Sequence, residues 1–198
     1  EFSTVGGWIA TLSSGMKKNR YGNIEDLTLN CRLVTADGVF DRGTSFARES
    51  TGIDLSKLIF GSEGSLGIIT AATLKIRKLP QTQGYQSYFF PSFDHGLRFM
   101  EQLSEFDTYP ASVRLMDSRH FQLAMAVRPD AADRPDTEAD NRNAAMSGFL
   151  REHDLNPEHI ASCTIVFEGF TREVAIQQAI VAELAASCDG VASGADAG

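Results

Sequence analysis

Two stretches rich in glycine and hydroxyl residues are the segments of this 198-residue chain most able to bind a ligand. They are residues 2–15 (FSTVGGWIATLSSG) and residues 61–70 (GSEGSLGIIT). Small residues let the backbone approach a ligand closely, while hydroxyl and N–H groups offer donors to phosphate oxygens or to a heterocycle edge. By composition alone, the first stretch is equally consistent with a turn-rich connection.

Neither stretch carries a standard nucleotide-binding signature. A Walker A loop needs Gly-Lys-Ser/Thr at the start of a helix, and a dinucleotide-binding fold needs GxGxxG after a strand. Residues 61–70 run directly into a strand pattern instead. A nucleotide bound here would therefore be held in another way.

Arg114 is the charged residue whose surroundings are least expected for an arginine. It lies in a strand pattern formed with Val113, Leu115 and Met116, where burial of an arginine is costly unless an anion pairs with it. Pairing with Asp117 or another carboxylate would be structural, and pairing with a ligand would be functional. Both remain open from the residues alone.

Other polar groups give weaker signals. Lys17, Lys18 and Arg20 could bind phosphate or could form a solvated basic turn, which is the more common role of such a run. The four histidines lack metal-ligand spacing, and no histidine lies where it would activate one of the three cysteines. We therefore predict no metal site.

Composition excludes several classes of protein. With 42% hydrophobic and 22% charged residues the chain is typical of a globular protein, and it has no apolar run of about 18 residues that could span a membrane. A net charge of −8 argues against a nucleic-acid partner. The chain starts without methionine and ends in a run of small residues, so we expect a fragment of a longer protein.

Charge and glycine divide the chain into two parts. Residues 1–85 have a net charge of +2 and most of the glycine, whereas residues 86–198 have a net charge of −10. The segment 79–84 (LPQTQG) is typical of a linker. We predict a domain boundary there, with domains at 1–85 and 86–198.

The first part has the pattern of strands joined by long loops. Alternation of apolar and polar residues predicts a strand over 27–33, a turn at Asp37-Gly38, a return strand from Val39, and a strand over 68–76. The first of these strands would place Cys31 on its inward face as an inert thiol.

The second part alternates strands with helices. Strands are predicted at 88–90, 113–116 and 160–167, and helices after the caps Ser92, Asp117 and Thr171. Leu97, Met100 and Leu103 would form the inner face of the first helix, and Ile176, Ile180 and Leu184 that of the last. The acidic segment 128–143 is predicted to be a loop. This order indicates an α+β sandwich with helices on one face.

Four segments together resemble one known family. They are residues 4–8 (TVGGW), 13–27 (SSGMKKNRYGNIEDL), 61–70 (GSEGSLGIIT) and 112–117 (SVRLMD). They resemble the FAD-binding oxidases and transferases of the vanillyl-alcohol-oxidase type, and within that family the synthases that form the first ether bond of ether lipids. The resemblance spans most of the chain and is weakest over 128–143.

The resemblance implies an α+β fold, FAD as cofactor, and a set of site residues. Residues 1–85 would be the latter part of the FAD-binding domain and residues 86–198 the start of the cap domain that covers the flavin ring. Arg114 would be the catalytic residue beside the flavin. The residues implied to line FAD are Phe2, Ser3, Thr4, Thr11, Leu12, Ser13, Ser14, Glu63, Gly64, Ser65, Leu66, Gly67, Ile68 and Ile69.

The implied reaction exchanges the acyl chain of acyl-dihydroxyacetone phosphate for a long-chain fatty alcohol, with the flavin N5 atom holding the substrate carbon covalently and no net redox change. The resemblance also implies a homodimer, peripheral association with a membrane, and a peroxisomal location in a eukaryote or a cytoplasmic one in a bacterium. The alternatives are an FAD-dependent dehydrogenase of 2-hydroxy acids such as lactate or glycolate, from the same superfamily, and a non-catalytic interaction module.

Overall fold

Two antiparallel sheets organise the chain, one in each of two units that span residues 1–79 and 80–198. The computed structural model describes residues 2–43, 46, 50, 52–106, 109–126 and 136–193. The fold is α+β, as predicted. Among the described residues, none of the helices is long and apolar enough to cross a bilayer.

The sheet of the first unit has three strands in the order β2-β1-β3. They are β1 (Thr28–Thr35), β2 (Gly38–Phe40) and β3 (Ile68–Leu74). The predicted hairpin is confirmed, but its turn lies one residue earlier than expected, because Gly38 already pairs with Thr35 as part of β2.

One face of this sheet covers a small core. Cys31 and Leu33 of β1 are buried with Ile9, Ile24 and Ile59, which confirms the inward position of Cys31. In β3 the simple alternation is wrong, since a register shift opposite Arg32 and Leu33 changes which residues point inward. As a result, Ile69 packs against the core, whereas Ile68 is exposed.

The described residues of the first unit also form three short α-helices and one 3₁₀ helix. Residues Val5–Ala10 form α1, so the expectation of a loop throughout 2–15 is wrong for these six residues. Helices α2 (Lys18–Tyr21) and α3 (Ile24–Leu27) follow, and the 3₁₀ helix is Leu55–Leu58. Short helices of this kind are held by caps, because few of their N–H groups have a partner within the helix.

The sheet of the second unit has four strands in the order β5-β6-β4-β7. They are β4 (Thr82–Phe90), β5 (Ser112–Met116), β6 (Ala161–Gly169) and β7 (Val191–Ala192). The linker predicted at 79–84 is wrong for its second half, because residues 82–84 pair with 167–169 of β6. The boundary expected after residue 85 thus falls inside β4, and the assignment of the parts to FAD-binding and cap domains stays a prediction.

Helices α4 (Phe93–Ser104) and α7 (Thr171–Ser187) cover one face of this sheet. Ser92 caps α4 as predicted, its hydroxyl accepting a hydrogen bond from His95 N–H. The predicted inner faces are partly wrong, since Leu97 and Ile176 are about half exposed. The buried residues instead are Gly96, Phe99 and Leu103 of α4 and Val174, Gln177, Val181 and Ala185 of α7.

The start of α7 also differs from expectation. Phe170, rather than Thr171, is its N-cap residue, and the carboxylate of Glu173 accepts a hydrogen bond from Phe170 N–H. The Thr171 hydroxyl lies 2.8 Å from that of Thr82 on β4. Thr171 therefore joins the helix to the sheet instead of capping it.

Helices α5 (Ser118–Ala126) and α6 (Asp136–Glu152) pack against the opposite face at one end of the sheet. There Phe89, whose side chain points away from that of Phe90, contacts Phe121 and Phe149 with ring centroids 5.3 and 5.7 Å apart. The expectation of helices on one face only is therefore wrong. The predicted acidic loop is also wrong for residues 136–143, because these residues are helical. Residues 128–135 lie outside the described part of the chain.

Candidate functional site

The end of α1 lies beside the glycine loop, which we define as residues 61–67. Gly61 N–H donates to the Ile9 carbonyl at 3.2 Å, and Glu63 N–H donates to the Ala10 carbonyl at 2.9 Å. Thr4 caps α1, because its hydroxyl accepts a hydrogen bond from Gly7 N–H at 3.1 Å. The structure thus brings together the two stretches that the sequence singled out separately.

Backbone strain is concentrated where these stretches meet. Leu12 and Glu63 have φ angles of 53° and 49°, in the left-handed region that costs a residue with a side chain about 1–2 kcal/mol. They are two of the four non-glycine residues with positive φ in the described part of the chain. Strain of this kind persists only where the surrounding structure enforces it, as it often does at ligand-binding sites.

The glycines of this region have two different roles. A Cβ atom at Gly67 would lie 2.4 Å from the Val34 carbonyl oxygen, and one at Gly61 would lie 2.9 Å from Leu12 Cδ1. These two glycines allow the loop to pack against its own unit. A Cβ at Gly64, where φ is +82°, would have no protein atom within 4 Å. Gly64 therefore faces open space in which a ligand could approach the backbone.

Four of the six hydroxyls in the implied site stabilise the loops themselves. The Thr11 hydroxyl donates to the Gly7 carbonyl at 2.9 Å, and the Ser13 hydroxyl lies 2.8 Å from Thr11 Oγ1. Ser14 donates to Asn23 Oδ1 at 2.9 Å, and Ser65 donates to the carbonyl of residue 62 at 2.6 Å. The general expectation that the hydroxyls donate to a ligand therefore does not apply to these four residues.

The two hydroxyls before α1 are arranged differently. Ser3 Oγ accepts a hydrogen bond from Trp8 Nε1 at 2.9 Å, and Thr4 Oγ1 accepts one from Gly7 N–H. A hydroxyl that accepts one bond can still donate its own hydrogen to another group. Ser3 and Thr4 thus present hydroxyl donors at the start of α1.

Exposed apolar side chains accompany these donors. Phe2 is 98% exposed and Ile68 is 72% exposed, while Leu12 and Leu66 are about half exposed. Ile69 is the exception among the implied cofactor residues, because it packs against the core of the unit. Sites for flat, partly apolar ligands commonly combine such apolar side chains with a few polar groups. Sequence reasoning proposed this mixture without showing which side chains are exposed.

The basic cluster belongs to the same unit and lies at α2. Lys17 precedes α2, and Lys18 and Arg20 lie within it. Nearby, the Arg77 guanidinium stacks 5.7 Å from the centroid of the Tyr21 ring. Phosphate binding and a solvated turn both stay open for the three residues of the cluster.

Arg114 lies in the second unit, in the middle of β5, with an exposed side chain. The expectation of a costly burial is therefore wrong. Val113 and Leu115 point to the helix-covered core, so Arg114 points to the opposite face. Asp117 caps α5 through a 2.7 Å hydrogen bond from His120 N–H, and this bond is the main reason why the pKa of Asp117 is lowered.

A polar cavity beside β1 was not anticipated from the sequence. It has a volume of about 660 Å³, and Glu25, Asn30, Ser56 and Lys75 are among its lining residues. One side-chain oxygen of Glu25 and one of Asn30 are buried with no hydrogen-bond partner in the described part of the chain. A polar cavity of this size has room for ordered water, which commonly satisfies such groups.

The cysteines and histidines have structural roles. Burial raises the pKa of the Cys163 thiol to about 12 and is the largest cause of the raised pKa of Cys31. His95 and His120 bond to the capping residues Ser92 and Asp117. Among the described residues, no group of three or more His, Cys, Asp or Glu side chains is placed to hold a metal ion.

Two family models match the chain. The model of the FAD binding domain matches residues 1–42, and the model of the C-terminal domain of FAD linked oxidases matches residues 79–196. Because the second match covers more than half of the chain, the chain belongs to the FAD-linked oxidase family, and FAD is its cofactor. The predicted family and cofactor are confirmed.

Comparison with individual relatives shows which members of the family the chain resembles. The chain is 36% identical over 199 aligned residues to the alkyldihydroxyacetonephosphate synthase of Caenorhabditis elegans, covering 100% of this chain and 33% of the relative. It superposes on a solved structure of an alkyldihydroxyacetonephosphate synthase with a TM-score of 0.84 at 30% identity, covering 100% of this chain and 34% of that one. The mitochondrial D-lactate dehydrogenase [cytochrome] of Arabidopsis thaliana is 42% identical over 80 residues, covering 40% of this chain and 14% of the relative. The chain thus spans about a third of the length of the synthases that it matches.

Proposed function

We propose that this chain is part of an FAD-dependent alkyldihydroxyacetonephosphate synthase. The enzyme would exchange the acyl chain of acyl-dihydroxyacetone phosphate for a long-chain fatty alcohol. One observation carries this proposal. The similarity to the Caenorhabditis elegans synthase and to a solved synthase structure covers all of the chain, whereas the matches to two D-lactate dehydrogenases cover 40% and 58% of it.

The geometry of the first unit fits a bound FAD. The open space at Gly64, the hydroxyl donors of Ser3 and Thr4, and the strained backbone at Leu12 and Glu63 are features that a large cofactor would use. We propose that residues 2–4, 11–14 and 63–69 hold FAD. When bound, FAD would supply the reactive ring at which the exchange takes place without net redox change.

Within this set, the residues have different tasks. Ser3 and Thr4 would donate hydrogen bonds to the cofactor, and exposed Phe2, Leu12 and Leu66 would pack against its apolar parts. Thr11, Ser13, Ser14 and Ser65 would keep the backbone in the shape that the cofactor needs, through the hydrogen bonds that their hydroxyls already make.

Arg114 would supply positive charge to the reaction. The bond between the dihydroxyacetone carbon and the acyloxy oxygen breaks, and a bond from the same carbon to the alcohol oxygen forms. The fatty acid leaves as a carboxylate, and the alcohol proton passes to solvent. An exposed guanidinium can stabilise negative charge on a substrate oxygen or on the flavin. Arginine suits this task because its planar group donates several hydrogen bonds in a fixed geometry.

The remaining expectations belong to the same proposal. We propose a homodimer that associates peripherally with a membrane, because a fatty alcohol partitions into lipid. A eukaryotic enzyme would be peroxisomal and a bacterial one cytoplasmic. Fractionation of cells and sizing of the purified enzyme test these points separately.

Product analysis of the purified, FAD-loaded enzyme tests the main proposal. With acyl-dihydroxyacetone phosphate and a radiolabelled long-chain alcohol, we expect a labelled ether product and one fatty acid released per ether formed. The flavin absorption at about 450 nm should remain that of the oxidised flavin. Release of fatty acid without any ether product would contradict the proposal.

A second candidate function is a dehydrogenase of 2-hydroxy acids, which the match to the D-lactate dehydrogenase favours. In that case D-lactate or glycolate would bleach the flavin absorption, and no ether would form. A non-catalytic module would show neither reaction, and it would lack the yellow colour of a flavoprotein when purified.

A further inference from the structure

Three polar side chains form one row across the sheet of the second unit. Arg114 of β5 is the register partner of Thr164 of β6, and Thr164 is also the partner of Ser87 of β4. Directly opposed residues on neighbouring strands point to the same face with Cβ atoms about 4.5–5.5 Å apart. The row therefore places two hydroxyls beside the guanidinium.

Strand β6, in the interior of the sheet, is exposed to solvent only at Thr164 and at Val166. In β6, seven of the nine residues are buried, and the two that are partly exposed are Thr164 and Val166. The residues between and beside them, Cys163, Ile165 and Phe167, point into the core under α4 and α7. Tyr85, on the same face as Thr164, is 48% exposed. This face of the sheet is therefore partly exposed at Thr164.

The two hydroxyls of the row are not used by the fold. Within the described part of the chain, Thr164 Oγ1 and Ser87 Oγ make no hydrogen bond, and only the Ser87 carbonyl oxygen is used, by Ser193. A valine would fit the centre of a strand at least as well as Thr164. The polar row therefore has no evident structural purpose.

The chemistry of the row suits an anion. Arg114 supplies only donors, and the hydroxyls of Thr164 and Ser87 can both donate. A phosphate group, with several acceptor oxygens, fits this set of donors.

We infer that Thr164 binds the phosphate group of the substrate together with Arg114, and that Ser87 contributes a weaker contact at the end of the row. This inference rests on the proposed function, because the phosphate in question is that of acyl-dihydroxyacetone phosphate. It adds two substrate-binding residues to Arg114 and assigns them to the polar end of the substrate.

The test compares Thr164→Val with Thr164→Ser in the FAD-loaded enzyme. Binding of dihydroxyacetone phosphate is measured by calorimetry, and KM is measured separately for the acyl substrate and for the alcohol. Thr164→Val loses a hydrogen bond to a charged group, so it should bind dihydroxyacetone phosphate about 10- to 100-fold more weakly. Its KM should rise for the acyl substrate and stay unchanged for the alcohol. Thr164→Ser should restore binding, and Ser87→Ala should have a smaller effect.

Thr82→Val is a matched control. Thr82 lies in the same sheet on the helix-covered face, and its hydroxyl contacts Thr171. The same chemical change there should leave phosphate binding and both KM values unaltered. If Thr164→Val fails to fold, Thr164→Ala takes its place with the same expectations.

The outcomes separate this inference from the function on which it rests. Wild-type phosphate binding in Thr164→Val, or an equal rise in both KM values, would overturn the inference while ether synthesis by the wild type still stands. An enzyme that forms no ether product refutes the proposed function, whatever Thr164 does.

Discussion

Substitution of Gly64 by valine is the sharpest test of the cofactor site in the first unit. A Cβ at Gly64 would have no protein atom within 4 Å, so the larger side chain should not clash with the chain itself. It would occupy the open space in which we place FAD. We therefore expect Gly64→Val to lose FAD much more than it loses stability.

The size of each effect follows from the structure. The φ angle of +82° at Gly64 should cost a residue with a side chain about 1–2 kcal/mol of folding free energy. Exclusion of the cofactor from the loop should weaken FAD binding at least tenfold, which corresponds to about 1.4 kcal/mol.

Gly43→Val is the matched control for this experiment. Gly43 has a φ angle of +69° and, like Gly64, would have no atom within 4 Å of an added Cβ. It lies outside the glycine loop, so it should show the same backbone cost with unchanged FAD content. The assay is the ratio of flavin to protein absorbance after purification, with the thermal midpoint measured on the same samples.

One result would refute the reasoning about the loop. If Gly64→Val and Gly43→Val retain the same full complement of FAD, the space at Gly64 is not part of the cofactor site. Gly67→Ala should instead affect stability more than FAD binding, because its Cβ would lie 2.4 Å from the Val34 carbonyl oxygen. It should lower the thermal midpoint by more than either valine variant does.

Four further predictions test other parts of the chain. Arg114→Lys should abolish turnover in the FAD-loaded enzyme while its flavin spectrum is retained, and normal activity would exclude a role in the reaction. Phe99→Ala should lower the free energy of unfolding in urea by about 3–5 kcal/mol, because Phe99 is fully buried against Phe90 at 5.3 Å between ring centroids. Cys163 should resist iodoacetamide at neutral pH until the protein unfolds, since burial raises its pKa to about 12; rapid labelling of native protein would contradict this. Hydrogen bonds, first from Gly43 N–H, lower the pKa of Asp41 from 3.8 to about 2. The free energy of unfolding of the wild type should therefore exceed that of Asp41→Asn by its full amount above pH 3.8, and this difference should disappear as the pH falls through about 2. Urea unfolding at several pH values measures the difference.

Strands and caps were largely predictable because they depend on local patterns. The hairpin of β1 and β2, the cap at Ser92 and the central strand β6 follow from alternation and from hydroxyl residues at helix starts. The cap at Thr171 was misplaced by one residue, since a neighbouring carboxylate satisfies the backbone there.

The errors arise where distant parts of the chain meet. Ile68 looked like an inward residue of β3, but a register shift against β1 exposes it. Ile176 was predicted on the inner face of α7, but it is half exposed, and the neighbouring Gln177 is buried and donates to the Tyr109 carbonyl. Residues 136–143 looked too acidic and polar for ordered structure, but they continue the helix whose later turns pack against Phe89.

By itself, the sequence determined the class of this protein. The α+β fold, the family and its FAD cofactor are readable from alternation patterns and short motifs, because both are local features of the chain. Only the tertiary structure decided the surroundings of those residues. It showed that four hydroxyls hold the loops, that Gly64 faces open space, and that Arg114 lies exposed and in register with Thr164. Such distinctions depend on hydrogen-bond partners and strand register, which join residues far apart in the chain and leave no local pattern.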